Sequence, residues 1–226
     1  MQPHTKVSTD AIYRQIADAI LERRLAPGRH IVEDRLAAIF GVSRAKVRQA
    51  LLRLAQEKIV TFVPNRGAFV TMPSIRQARE VFETRRILEG AIVRQVALTI
   101  TRSQIDELGA IASQEDDARR LHDAQAVIKL SGEFHRRLAS LAENHTMSAI
   151  MHELTALTCL VIMLYGNATL SACATDEHRS LLEALEEHDA QTAAARLLAH
   201  LDHVEAELTL VPPATDDADF ESIFSA

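Results

Sequence analysis

The 226-residue chain has no tryptophan, and only 4% of its residues are aromatic. Sheets draw on aromatic and β-branched side chains, so this scarcity, set beside abundant Ala and Leu, favours helices. Two cysteines, Cys159 and Cys173, are too few for a disulfide framework and point to a reduced, cytoplasmic setting. No apolar run reaches the roughly 18–20 residues of a membrane span. The longest, over 154–165, is interrupted by Thr155, Thr158 and Cys159. The first residues lack the basic-then-apolar pattern of a secretion signal. Positive charge is short in one part of the chain and negative charge in the other. Residues 1–72 hold 12 Lys/Arg against 6 Asp/Glu, a net of +6, and the rest holds 13 against 25, a net of −12. Such a split suits a basic module for a polyanion joined to an acidic module with another task. The length allows one large or two small domains, and 47% apolar content indicates a folded protein.

What is present is most informative over 40–52. Gly41 permits the left-handed turn between two helices, and Ser43 is placed to cap the second. Val47, Ala50, Leu51 and Leu54 recur at helical spacing as an apolar stripe. Arg44, Ala45, Arg48 and Gln49 lie in the first turns, away from that stripe. Arg pairs bidentately with guanine and Gln with adenine, so an apolar back with this front suits the major groove. Any one of these basic residues alone is equally a solvated surface charge.

Around this stretch the pattern predicts a helix over 9–24 capped by Thr9, with Ile12, Ile16, Ala19 and Ile20 on one face. A Pro-Gly break follows at 27–28, then a short helix over 32–40. Weak alternation over 59–63, a turn at Pro64-Asn-Arg-Gly67 and a second strand over 68–72 predict a hairpin. Placed after a helix-turn-helix, it is a wing. Beyond Pro73 no strand signal appears, and helices are expected over 75–99, 103–120, 122–142, 146–166, 171–187 and 189–209. The fold class is mostly α: an N-terminal winged helix-turn-helix with a small β-hairpin, and a C-terminal antiparallel all-α bundle of six to seven helices. The expected divisions are a loose tail over 1–8, a DNA-binding domain over 9–72, a linker over 73–79, a helical domain over 80–212 and an acidic tail over 213–226. Phe220 and Phe224 are candidates to dock that tail.

The motifs Ile12-Tyr-Arg-Gln-Ile-Ala-Asp-Ala-Ile20, Leu25-Ala-Pro-Gly-Arg29, Leu36-Ala, Gly41-Val-Ser-Arg44, Val47-Arg48 and Pro64-Asn-Arg-Gly-Ala-Phe-Val70 occur in a recognisable order and spacing. Across 9–72 the chain resembles the GntR family of bacterial transcription regulators. The second half resembles the FCD type of effector domain, in the FadR-like branch. Its marks are Arg85-Arg-Ile-Leu-Glu89, Phe134-His135, Asn144, Glu177-His178 and His200-Leu201. The resemblance implies that Arg44, Arg48, Arg66 and Gly67 touch DNA, with Ser43 and Gln49 in support. Two departures bear on the operator sequence. Ala45-Lys46 stands where the family usually has Thr-Pro, which removes a rigid residue and makes Lys46 a phosphate-seeking cation. The family's Arg one residue before Arg35 is replaced by Asp34, leaving Arg35 as the basic residue there.

Three of the ten histidines lie on faces expected to point into the bundle. His135 shares its face with Ser131, Leu138, Ala139 and Ala142. His178 shares one with Ala174, Leu181, Leu182 and Leu185, and His200 with Ala193, Leu197 and Val204. Neutral imidazoles from three helices suit one divalent metal such as zinc or nickel. By resemblance to metal-binding FCD domains, an Asp four residues before the first His completes the ligand set; here that position is Ser131. Glu133 lies on the wrong face to replace it. The alternative is a metal-free, hydrogen-bonded polar pocket. Arg85 sits on an apolar stripe with Val81, Leu88 and Ile92. It is either a structural partner of Glu89 or a fork for an effector carboxylate. The resemblance places Arg85, with Ser131 and Asn144, in the effector pocket.

The expected function is a cytoplasmic bacterial transcription regulator, a repressor, and not an enzyme. It would bind double-stranded DNA as a homodimer over a palindromic operator, with a small carboxylate effector as modulator and no membrane partner. Two alternatives stand beside it. One is a metal-dependent hydrolase-like domain, weakened by the lack of an evident general base beside the histidines. The other is a metal-responsive regulator with the ion itself as signal.

Overall fold

The computed structural model describes residues 7–21, 24–166 and 176–211. They form two compact units that divide between Met72 and Pro73.

The first unit contains α1 (Thr9–Leu21), β1 (His30–Ile31), α2 (Glu33–Phe40), α3 (Arg44–Gln56), β2 (Val60–Val63) and β3 (Gly67–Val70). Its core is the stripe expected from α1, with Ile12, Ile16 and Ile20, packed with Leu25, Leu36, Val47, Leu51 and Leu54. The α1 cap is Ser8 rather than Thr9: the Ser8 hydroxyl accepts the Ala11 N–H at 3.0 Å, and Thr9 is already helical. Gly41 ends α2 in the left-handed conformation, φ 62° and ψ 36°. Ser43 then opens α3, its side chain accepting the Lys46 N–H. The wing holds one strand more than the expected hairpin. β3 is central, between β2 and β1, and both pairings are antiparallel, with Val63 opposite Gly67 and His30 opposite Phe69. A two-residue strand is too short to show alternation, which is why β1 is silent in the sequence. Gly67 has φ +93°, and a Cβ there would stand 3.0 Å from His30 Nε2, so the turn needs glycine twice over.

The second unit is all-helical among the described residues: α4 (Ile75–Thr99), α5 (Arg102–Arg120), α6 (Ala124–Ser140), α7 (His145–Tyr165), α8 (Glu177–Glu186) and α9 (Ala190–Ala206). α4 already includes 75–79, because Ser74 and Gln77 form a capping box at its start. Thr101, Asp123, Asn144 and Asp189 cap α5, α6, α7 and α9 through their side chains. The breaks fall at His122, Glu143 and His188, which all have positive φ. α4 packs on α9 and α7, α6 on α5 and α7, and α8 on α9 and α5. Their shared core includes Ile92, Val96, Leu108, Phe134, Leu138, Met151, Leu181 and Leu197.

Length and composition alone would let α7 cross a membrane. In the fold it is a bundle helix, with Met151, Leu160, Val161 and Tyr165 buried and Tyr165 donating its hydroxyl proton to the Pro73 carbonyl at 2.8 Å. Cys173, Ala174, Phe220, Phe224 and the tail over 213–226 lie outside the described residues.

Candidate functional site

The DNA-facing candidates gather on the first two turns of α3. Arg44, Ala45, Arg48 and Gln49 are exposed and Lys46 is half-buried, opposite the buried Val47, Ala50, Leu51 and Leu54. The two guanidiniums share one carboxylate. Arg44 Nε donates to Glu33 Oε2 at 2.9 Å, and Arg48 Nη1 donates to Glu33 Oε1 at 2.8 Å. Arg44 Nη1 also reaches Asp34 Oδ2 at 3.4 Å. Arg48 lies 5.3 Å above the Phe62 ring, which ties α3 to the wing. In the wing, Arg66 lies 5.3 Å over Phe69, and His30 stacks on Phe69 at 4.8 Å. Arg66 and Gly67 thus sit where the hairpin turns, and Arg35 is exposed in the first turn of α2.

In the helical unit, His135 from α6, His178 from α8 and His200 from α9 are buried together, with one nitrogen of each within 4.8 Å of the others. His135 Nε2 and His200 Nε2 are 3.2 Å apart. The Nδ1 of every ring is held by a glutamate from another helix. Glu89 takes His135 at 2.5 Å, Glu115 takes His178 at 2.7 Å and Glu177 takes His200 at 2.6 Å. Each glutamate is held in turn: Glu89 by Arg85 Nε at 2.6 Å, Glu115 by Arg119 Nη2 at 2.6 Å and Glu177 by His203 Nδ1 at 2.7 Å. Phe134 stacks on His178 at 4.1 Å and fixes that ring's plane.

The electrostatics follow from burial set against these partners. Burial alone would raise Glu89, but Arg85 and then His135 override it and bring its pKa down to about 2. Glu115 and Glu177 are also lowered: burial opposes the change, while hydrogen bonds from His178, and from His200 and His203, drive it. His135 moves down to about 3, burial outweighing the pull of Glu89, and His200 is lowered for the same reason, against Glu177. An ionised carboxylate only accepts, so each Nδ1 must donate. His135 and His200 are therefore neutral at pH 7 with lone pairs at Nε2.

Arg85 and Glu89 are 3% and 1% exposed, so the structural pair considered from the sequence exists. Arg85 Nη2 nevertheless has no hydrogen-bond partner among the described residues. It borders a cavity of about 20 Å3 lined also by Ser131, His135, Thr155, Thr158 and His200. Ser131 and Arg85 thus share a cavity with two of the three histidines. Asn144 does not line that cavity; its side chain accepts the Met147 N–H at 3.0 Å as the cap of α7. Asn is a favoured residue at a helix N-cap. The statement that no general base lies beside the histidines also needs correction. Three carboxylates do, but all on the Nδ1 side, engaged with the rings and their second partners. The sequence marked Glu89 only as a partner for Arg85 and Glu177 only within a family motif; Glu115 and Glu33 did not stand out.

Residues 8–70 match the family described as bacterial regulatory proteins, gntR family, and residues 80–203 match the FCD domain. The chain belongs to the GntR family, with an FCD domain. It is 25% identical over 214 residues, 94% of each chain, to the HTH-type transcriptional repressor RspR of Escherichia coli K12. A GntR structure from Rhodococcus sp. RHA1 superposes with TM-score 0.76 at 25% identity, covering 88% of this chain and 95% of that one. E. coli McbR/YncC has the same fold, with TM-score 0.74, 20% identity and the same coverage. This GntR protein is a DNA-binding transcriptional regulator and not an enzyme, which removes the hydrolase alternative.

Proposed function

We propose that this GntR regulator represses transcription as a homodimer on a palindromic operator, and that a metal centre in its FCD domain receives the signal. Arg44, Arg48, Gln49, Arg66 and Gly67 contact the DNA, with Ser43, Lys46 and Arg35 at or near the backbone. A dimer sets two α3 helices one helical turn apart in successive major grooves. The relative RspR carries the word repressor in its name, which supports the sign of regulation.

One observation carries the metal: three histidines converge with each Nδ1 committed to a glutamate. Such carboxylate–histidine pairs fix the tautomer and raise the basicity of the ligating nitrogen. The buried His178 Nε2 has no hydrogen-bond partner among the described residues. Tetrahedral ligands about 2.05 Å from zinc stand about 3.3 Å apart, close to the His135–His200 spacing of 3.2 Å. His135, His178 and His200 are the ligands for zinc or nickel. Ser131, in place of an Asp, leaves a coordination position for water or an anion. A metal bound there supplies a Lewis-acid anchor for a carboxylate.

Arg85, with its free Nη2 on the same cavity, supports a small carboxylate effector bound between that guanidinium and the centre. The cavity's size supports a second reading. At about 20 Å3 it holds a water, so without opening it admits no organic acid, and the ion itself would be the signal. Operator binding by metal-stripped, zinc-loaded and zinc-plus-carboxylate protein separates the two. A response to zinc alone supports the metal-responsive reading, and a response only to both supports the effector reading. No protected palindrome in footprints would overturn the proposal.

A further inference from the structure

We infer that Glu33 is a positioning residue that trades non-specific for sequence-specific DNA affinity. The inference rests on the reading of Arg44 and Arg48 as base-contacting residues. Glu33 opens α2, where the helix N-terminus favours a carboxylate. It is 7% exposed, while the Arg44 and Arg48 side chains above it are 61% and 54% exposed. The carboxylate therefore lies beneath two guanidiniums and gives one oxygen to each.

Three consequences follow. First, the bonds select which edges of the guanidiniums face outward. Arg44 uses Nε on Glu33 and Nη1 on Asp34, so its Nη2 is left for a base. Arg48 uses Nη1 and rests on Phe62, so its Nε–Nη2 side edge is left. The Arg48 edge can form the two parallel bonds that guanine accepts. Second, two long side chains are ordered before DNA arrives, so binding has fewer rotors left to freeze. Third, the shared carboxylate reduces two positive charges at the head of α3 to a net of one. That weakens attraction to any phosphate, which is the sequence-independent part of affinity.

Full-length Glu33→Gln, Glu33→Asp, Arg44→Ala and Arg48→Ala test this by fluorescence anisotropy, with thermal melts alongside. The probes are the best duplex the protein selects from a random pool and a scrambled duplex of equal length, across a salt series. For Glu33→Gln the selected duplex is expected to bind about tenfold more weakly, the loss of roughly one good base contact. The scrambled duplex is expected to bind more tightly, with a log–log salt slope steeper by about one. Glu33→Asp keeps the charge but shortens the reach, so the slope should hold while discrimination still falls. Unchanged discrimination in both variants overturns the inference, as does equal weakening on both duplexes with a lowered melting temperature. If Arg44→Ala and Arg48→Ala leave the selected duplex unaffected, the contact reading itself fails; if they weaken it and the Glu33 variants keep full discrimination, only the role of Glu33 fails.

Discussion

His135 Nε2 lies 3.2 Å from His200 Nε2, while the opposite nitrogen of each ring donates to a glutamate. Two neutral imidazoles arranged this way aim lone pairs at each other. That contact is unfavourable unless a proton or a metal ion lies between them. Burial lowers the affinity of both rings for a proton, so the ion fits better. We therefore predict that His135→Ala, His178→Ala and His200→Ala each abolish tight zinc binding. Glu115→Gln should lower zinc affinity by about 10–100-fold, as loss of an outer-shell partner does. Competition with a chromophoric chelator reads both.

Ser131 stands one helical turn before His135 on α6 and lines the same cavity. Ser131→Asp would add a carboxylate to the three imidazoles. We predict tighter zinc binding, by about tenfold or more, and loss of the open position. Unchanged affinity in the same competition assay would show that this side chain does not reach the ion.

Among the described residues, Arg85 and His135 hold the buried Glu89. Arg85→Ala strands that carboxylate, with an expected loss of about 3–5 kcal/mol in urea unfolding. Arg85→Lys restores charge without the fork and should recover part of it. A loss below about 1 kcal/mol for Arg85→Ala would mean that Glu89 takes up a proton or reaches water.

The pKa shifts set a pH dependence for metal-free protein. Glu89 stands at about 2 against an ordinary 4.5, so its stabilising contribution is whole above 4.5 and lost as pH falls through about 2. His135 stands at about 3 against 6.5, so below 6.5 the unfolded chain takes the proton first and the native state loses ground down to about 3. Both run the same way. The melting temperature should fall steadily from pH 7 to pH 4, and metal should be released over the same range. A melting temperature that rises on acidification would contradict the assignment of neutral, buried rings.

The helix-turn-helix was legible because its signals are local: Gly41 for the turn, Ser43 for the cap, and Val47, Ala50, Leu51 and Leu54 for the inward stripe. The inward faces carrying His135, His178 and His200 were legible for the same reason, since helical spacing alone places each with its apolar neighbours. The pairing of the glutamates with these rings was not. Glu89 precedes His135 by 46 residues and Glu115 precedes His178 by 63, and no periodicity links a carboxylate to a ring on another helix. Glu177 even adjoins His178 in sequence yet serves His200, because successive helical residues point to different faces. Glu33 escaped notice similarly: only the packing of α2 against α3 brings it under Arg44 and Arg48. Asn144 carries a local role of its own, the side-chain cap of α7.

Isothermal titration of chelator-stripped full-length protein with zinc tests the central claim most directly. The account predicts one tight site per chain and no site in the His135→Ala/His178→Ala/His200→Ala triple variant. Absence of a tight site in the unaltered protein, or its survival in the triple variant, would contradict it.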